Sequence, residues 1–198
     1  AIWHLRLQLH AAALCRGAAT GNWVMKNEMR FGAPWSPAVK VITVAVIALL
    51  VGVSVMGMVK LPDNTPATAR VLITILPFTI LLGTLPFMIF GYVLRDDELL
   101  IERLGWANHI PLSAVVSAAA DRDALRWSIR LCGSGGVFGF FGWFRNGRLG
   151  VYRAYGTDPK RSVVVKLANR TIVVTPDDPQ RFVAELDARR KGGVAAAG

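Results

Sequence analysis

Between Gly133 and Gly150 the chain gathers seven glycines and five aromatic residues, Phe138, Phe140, Phe141, Trp143 and Phe144. Arg145 and Arg148 fall inside this stretch, and Arg153 follows it. These residue types support two kinds of arrangement. Exposed rings beside arginines suit a lipid headgroup layer or a partner protein. Buried rings, with glycines at tight turns and close backbone approaches, build a small core. Five large rings crowded into Phe138–Phe144 are hard to bury on one side of a strand, so some of them are expected at the surface. The candidate contact residues are therefore Phe138, Phe140, Phe141, Trp143, Phe144, Arg145, Arg148 and Arg153. Phosphate cradling by a glycine loop is excluded on spacing. The dinucleotide pattern needs a third Gly where Phe138 stands, and no Gly-Lys-Ser/Thr is present.

Other chemistry finds little footing. His4, His10 and His109 each stand apart, with no nucleophile at a spacing that would pair with them. Asp96, Asp97, Glu98 and Glu102 lack Ca²⁺-loop spacing. Cys15 and Cys132 are too few for a disulfide framework, and neither has metal-ligand neighbours. The chain reads as a non-enzyme without a cofactor or bound metal. Lys and Arg outnumber Asp and Glu by 23 to 13. No run of five basic residues occurs, so the excess speaks for an anionic membrane surface and against nucleic acid.

Two uncharged apolar runs precede these residues, Val41–Val59 and Val71–Leu94. A helix needs about 20 apolar residues to cross a bilayer. The pair reads as a membrane-spanning helical hairpin over residues 39–94. Pro62, Asn64 and Pro66 lie in its short connector. Basic residues Lys26, Arg30 and Lys40 flank one side and Arg95 and Arg103 the other, which places both termini in the cytoplasm. Neither run holds an ionisable residue at its centre, which argues against transport by this chain alone. Gly52, Ser54 and Gly57 would allow close helix packing and self-association. Residues 1–38 form an N-terminal segment. Ile2–Leu14 reads either as a short amphipathic surface helix or as sequence upstream of a natural start at Met25 or Met29.

Beyond Leu94 the period shortens. Tyr92–Arg95 and Leu99–Leu104 read as strands about the turn Asp96-Asp97-Glu98. Ile110–Val116, Leu125–Leu131 and Leu149–Tyr155 read as further extended segments. Ser162–Leu167 and Thr171–Val174 form a hairpin about Asn169-Arg170. Asp177-Asp178-Pro179 is a helix start, with an Asp cap and Pro at the first helical position. Phe182, Val183 and Leu186 then share one helix face. Residues 95–191 thus form a cytoplasmic domain, and 192–198 a disordered tail.

Ile110-Pro111-Leu112, the stretch Gly135–Gly142, Leu149-Gly150, Tyr152–Thr157 and Val173–Phe182 occur in an order that resembles the bacterial PH domain-containing membrane proteins. The resemblance covers about Tyr92–Arg189 and implies a small bent β-barrel closed at one end by the last helix. The expected architecture is a membrane α-helical hairpin, then a mainly β PH-like barrel of about seven strands capped by a C-terminal α-helix. It implies binding or assembly at the inner membrane, with a protein partner, a homo-oligomer or anionic lipid as the contact. An accessory subunit of a transport or export complex is the alternative. In phosphoinositide-binding PH domains the basic residues cluster at the first hairpin; here that turn is acidic and would repel phosphate.

Overall fold

The computed structural model describes residues 28–62 and 64–195. The reading of Ile2–Leu14 lies outside the described residues, as does the end of the tail, 196–198. The chain enters as a strand, β1 (Met29–Gly32), before either apolar helix. Helix α1 (Pro37–Lys60) begins at Ser36, whose hydroxyl accepts the Val39 N–H at 3.2 Å, with Pro37 first in the helix. The Pro62 carbonyl closes the connector by accepting the Thr65 N–H and a guanidinium nitrogen of Arg70. Helix α2 (Ala67–Thr84) follows and ends in a 3₁₀ turn, Leu85–Phe87. Pro86 in that turn cannot extend the helical ladder.

Both helices are long and apolar enough to cross a bilayer. Within their most apolar windows only 17% and 6% of residues are buried by the protein. A core helix of a soluble protein would be covered, whereas these need an apolar medium around them. Between the two helices, the Ser54 hydroxyl donates to the Leu50 carbonyl, and lies 3.2 Å from the Thr74 carbonyl. A Cβ at Gly57 would meet Ile73 at 2.5 Å, while nothing lies within 4 Å of one at Gly52. Ser54 and Gly57 thus serve packing inside the hairpin.

The second apolar run is not helical throughout, since its last residues form β2 (Ile89–Leu94). Then come β3 (Glu98–Arg103), β4 (Trp106–Pro111), β5 (Val115–Ala120), β6 (Ile129–Gly135), β7 (Phe140–Asn146), β8 (Gly150–Gly156), β9 (Val163–Leu167) and β10 (Thr171–Val174). Helix α3 (Pro179–Ala195) ends the described chain. The strands form two sheets, β1-β2-β3-β4 and β5-β9-β10-β8-β7-β6, with β8 and β10 parallel and every other pair antiparallel. The sheets are not closed into one barrel. The chain passes from one to the other through a 3₁₀ turn, Leu112–Ala114, which breaks the ladder between β4 and β5. Strands before the helices and within the glycine-aromatic stretch bring the described total to ten.

The sheets pack face to face. Tyr92, Leu94, Leu99, Ile101 and Ile110 meet Val163, Val165, Ile172 and Val174 in one core. Helix α3 closes an end of it, with Phe182 and Leu186 fully buried. Each such side chain contributes about 1.5–3 kcal/mol by leaving water. The Asp178 carboxylate accepts the Arg181 N–H at 3.0 Å and caps α3.

One buried polar chain joins these parts. The Tyr92 hydroxyl donates to the Tyr155 carbonyl at 2.6 Å and accepts the Thr175 N–H at 3.0 Å. The Thr175 hydroxyl accepts the Thr157 N–H, and the Thr157 hydroxyl donates to the Pro34 carbonyl just before α1. Burial pushes the Tyr92 phenol up to about 12 from an ordinary value of 10. Its neutral form is the one the fold favours. The stabilisation is therefore complete below pH 10 and is lost as pH rises to 12, on the order of 3 kcal/mol in all. Tyr92→Phe should cost about 1–3 kcal/mol at neutral pH, because it orphans the Thr175 N–H and the Tyr155 carbonyl. Unfolding of the full chain in detergent at pH 8, 10 and 11.5 should show the gap between wild type and variant narrowing above pH 10.

Candidate functional site

The glycine-aromatic stretch is a β-hairpin, β6–β7. Gly133 and Gly142 face each other across it with φ of 113° and 122°. A Cβ on either would stand 2.1 Å from a backbone carbonyl of the opposite strand, so only glycine lets the strands approach here. The alternation of strand side chains then divides the rings between two faces. Phe140 and Phe144 pack with Tyr152, Ala154, Val164 and Val173 in a second core cluster. Phe141 and Trp143 lie on the other face, opposite Tyr155 and Arg153 of β8. Phe138 and Phe144 are buried, whereas Trp143 is 39% exposed. Ile129, Leu131 and Val151 are also exposed.

The tip of the hairpin docks on the helices. The Phe138 N–H donates to the Thr43 hydroxyl of α1 at 3.1 Å, and the Phe138 ring meets Trp35 edge-on. Gly136 lies against Ile42. At the other helix, Phe87 stacks on Phe141 with centroids 5.4 Å apart, and the Trp106 indole N–H donates to the Pro86 carbonyl at 3.0 Å. The exposed face of β6–β8 thus adjoins the end of α2.

Two arginines share this junction. Arg103 at the end of β3 is only 8% exposed. Its guanidinium carbon lies 4.9 Å from the Trp106 ring centroid, 5.2 Å from Tyr155 and 5.9 Å from Phe141. Arg153 of β8 lies 5.2 Å from the same Tyr155 ring and 5.8 Å from Trp143. The Nε atoms of both are buried and have no hydrogen-bond partner. No carboxylate among the described residues pairs with either. Desolvation lowers the Arg103 guanidinium from its ordinary range, and the Arg153 charge lowers it further. Each ring contact is worth about 0.5–2 kcal/mol. An N–H donor sealed away without an acceptor costs about 1–3 kcal/mol. The rings cover the faces of these guanidiniums and leave each Nε–H without an acceptor.

Of the remaining basic candidates, Arg145 is exposed, while Arg148 is held by Asp121 at 2.8 Å. On the opposite face of the hairpin a cleft of about 540 Å³ is floored by Phe140 and Phe144 and edged by Arg122, Arg126 and Arg130. In the acidic first turn, Glu98 is held by two partners. Glu98 bonds His109 at 2.8 Å and Arg95 at 3.1 Å, and Arg95 reaches Glu28 at 2.7 Å. Its carboxyl is lowered below the usual range by His109 first and Arg95 second. Sequence spacing singled out neither Arg103 nor the Arg122–Arg126–Arg130 group. Arg103 sits at the end of an ordinary alternating strand, and only the packing of one sheet on the other brings it to Tyr155.

Two packed sheets with a closing C-terminal helix and a basic aromatic face define a PH-like binding module. Residues 90–190 match the model of the bacterial PH domain family, and the chain belongs to that family. No curated protein matches it.

The split of the rings gives a direct test. Phe144→Ala should destabilise the full chain by about 3–5 kcal/mol, as expected for an emptied core site. Trp143→Ala should change stability by less than about 1 kcal/mol. Thermal or denaturant unfolding in detergent measures both, and equal losses would mean that Trp143 also belongs to the core.

Proposed function

We propose that this chain is a membrane-anchored binding module. Its helical hairpin spans the inner membrane and holds the PH-like domain on the cytoplasmic side. The face of β6–β8 carrying Trp143, Arg145, Val151 and Arg153 is its contact surface with the anionic bilayer. The supporting observation is how the hairpin joins the domain. The helices leave from β1 and return into β2, which pair with each other from Met29↔Leu94 to Gly32↔Gly91. Thr43 and Pro86 then fix the domain from both helices. A flexible tether would leave the domain free to turn, whereas this junction gives it one orientation. Interfacial Trp and Arg are the residues that suit a headgroup layer, and the basic flanks favour the cytoplasmic side.

The outer edge of β6 supports a second reading. β6 ends the six-stranded sheet, and Ile129–Gly133 is exposed throughout. Such an edge can pair with a strand of a second copy or of another protein.

Cys132, exposed on β6 and opposite Trp143, reports on both readings once Cys15 is replaced by Ser. A membrane-impermeant maleimide should label it in inverted vesicles and not in intact cells. Labelling from outside would overturn the orientation. An environment-sensitive dye on Cys132 should be quenched by a nitroxide headgroup lipid in phosphatidylglycerol-containing proteoliposomes. Absence of quenching, with Cys132–Cys132 crosslinks between copies, would replace the bilayer contact with the edge pairing.

A further inference from the structure

We propose that Arg103 and Arg153, gathered around Tyr155, form a binding site for a phosphate group at the level of the inner headgroups. The argument begins with the shape of a guanidinium. Its faces stack on rings, while its five N–H donors lie in the plane and point outward. At Arg103 the ring contacts are supplied by Trp106, Tyr155 and Phe141, and at Arg153 by Trp143 and Tyr155. Neither side chain forms a hydrogen bond or ion pair with another described residue. Neighbouring charges do not cancel them, since Glu102, beside Arg103 in β3, pairs with Arg30 at 3.3 Å. Two cations therefore share one aromatic ring without a counterion. Arginine forks match phosphate oxygens in a bidentate geometry, so a phosphate would satisfy in-plane donors that the protein leaves open.

The place fits the same ligand. The Nε atoms are buried, but the rim of the cluster is open, for Phe87, Trp106 and Trp143 are 41%, 44% and 39% exposed. Phe87 and Pro86 end the second membrane helix and touch Phe141 and Trp106 directly. Headgroup phosphates lie at that height in a bilayer. The first hairpin cannot serve in this role, because its turn is acidic and Arg95 there is committed to Glu28 and Glu98. The phosphate chemistry stands on the arginine geometry alone, and only the lipid as its source rests on the anchoring proposed above.

The full chain in detergent is the material for the test. Inorganic phosphate and dihexanoyl phosphatidylglycerol are titrated separately, against sodium chloride at matched ionic strength. Thermal midpoint and tryptophan fluorescence report binding, the latter because Trp106 and Trp143 line the site. At least one probe should give a saturable response absent with chloride. Arg103→Met and Arg153→Gln should each weaken it tenfold or more. Saturation by inorganic phosphate alone would point to a soluble phosphate compound, saturation by the lipid alone to a headgroup, and both support the site. No saturable response to either probe, or the same affinity in both variants, would overturn it. Should Arg103→Met fail to fold, the less buried Arg153→Gln decides. Phosphate binding that persists when Cys132 is labelled from outside would retain the site and remove only the proposed orientation.

Discussion

A tyrosine hydroxyl fully removed from water must find both a donor and an acceptor, and Tyr92 finds them in β8 and at Thr175, the residue after β10. That requirement fixes β2 against β8 and β10. Through Thr175 and Thr157 it reaches the Pro34 carbonyl, where the chain turns towards the first apolar helix. The same small network therefore sets the packing of the two sheets and the entry angle of the anchor. The links are short, and all but the partly buried last one at Pro34 are buried, so a shift at the Tyr92 end is not absorbed by solvent. The position of the hairpin tip on Thr43, and of Trp106 under Pro86, follows from this alignment.

Strand alternation governs what the β6–β7 hairpin can do. Neighbouring residues point to opposite faces, so Phe140 and Phe144 enter the core while Phe141 and Trp143 leave it. The glycine pair Gly133 and Gly142 draws the two strands together at the centre of this arrangement. Core building and surface chemistry are thus two faces of one element, and neither excludes the other.

Much of the architecture was legible in the sequence because it rests on local rules. The uncharged runs mark the helices, Asp178-Pro179 marks the start of α3, and the β9–β10 hairpin is bounded close to where its turn residues place it. Elsewhere the governing contact was distant. Met29–Gly32 is too short to read as a strand alone and becomes one by pairing with β2, more than fifty residues later. Ile89–Leu94 continues an apolar run without a change in composition, and only the turn at Pro86 ends the helix. In the site, the crowding of five rings implied exposure without saying where, and Trp143 is the exposed ring. Arg103 was invisible because its aromatic partners come from β4, β7 and β8. Arg148 looked available and is held by Asp121, a partner 27 residues away.

The insertion of the helices between β1 and β2 also orders events during synthesis. Gly32 and Gly91 are ladder neighbours in the finished sheet, yet the whole hairpin lies between them. In free solution, closing a loop of that length would cost about 3–4 kcal/mol of chain entropy. With the anchoring proposed above, two helices folded back on each other in a bilayer bring those ends together beforehand. Under the proposed anchoring, membrane insertion becomes a step in building the sheet, since it brings β1 to β2 and the Phe31 ring towards Phe182. Anchored in that way, the domain would have the lipid bilayer as a template as well as a place of residence.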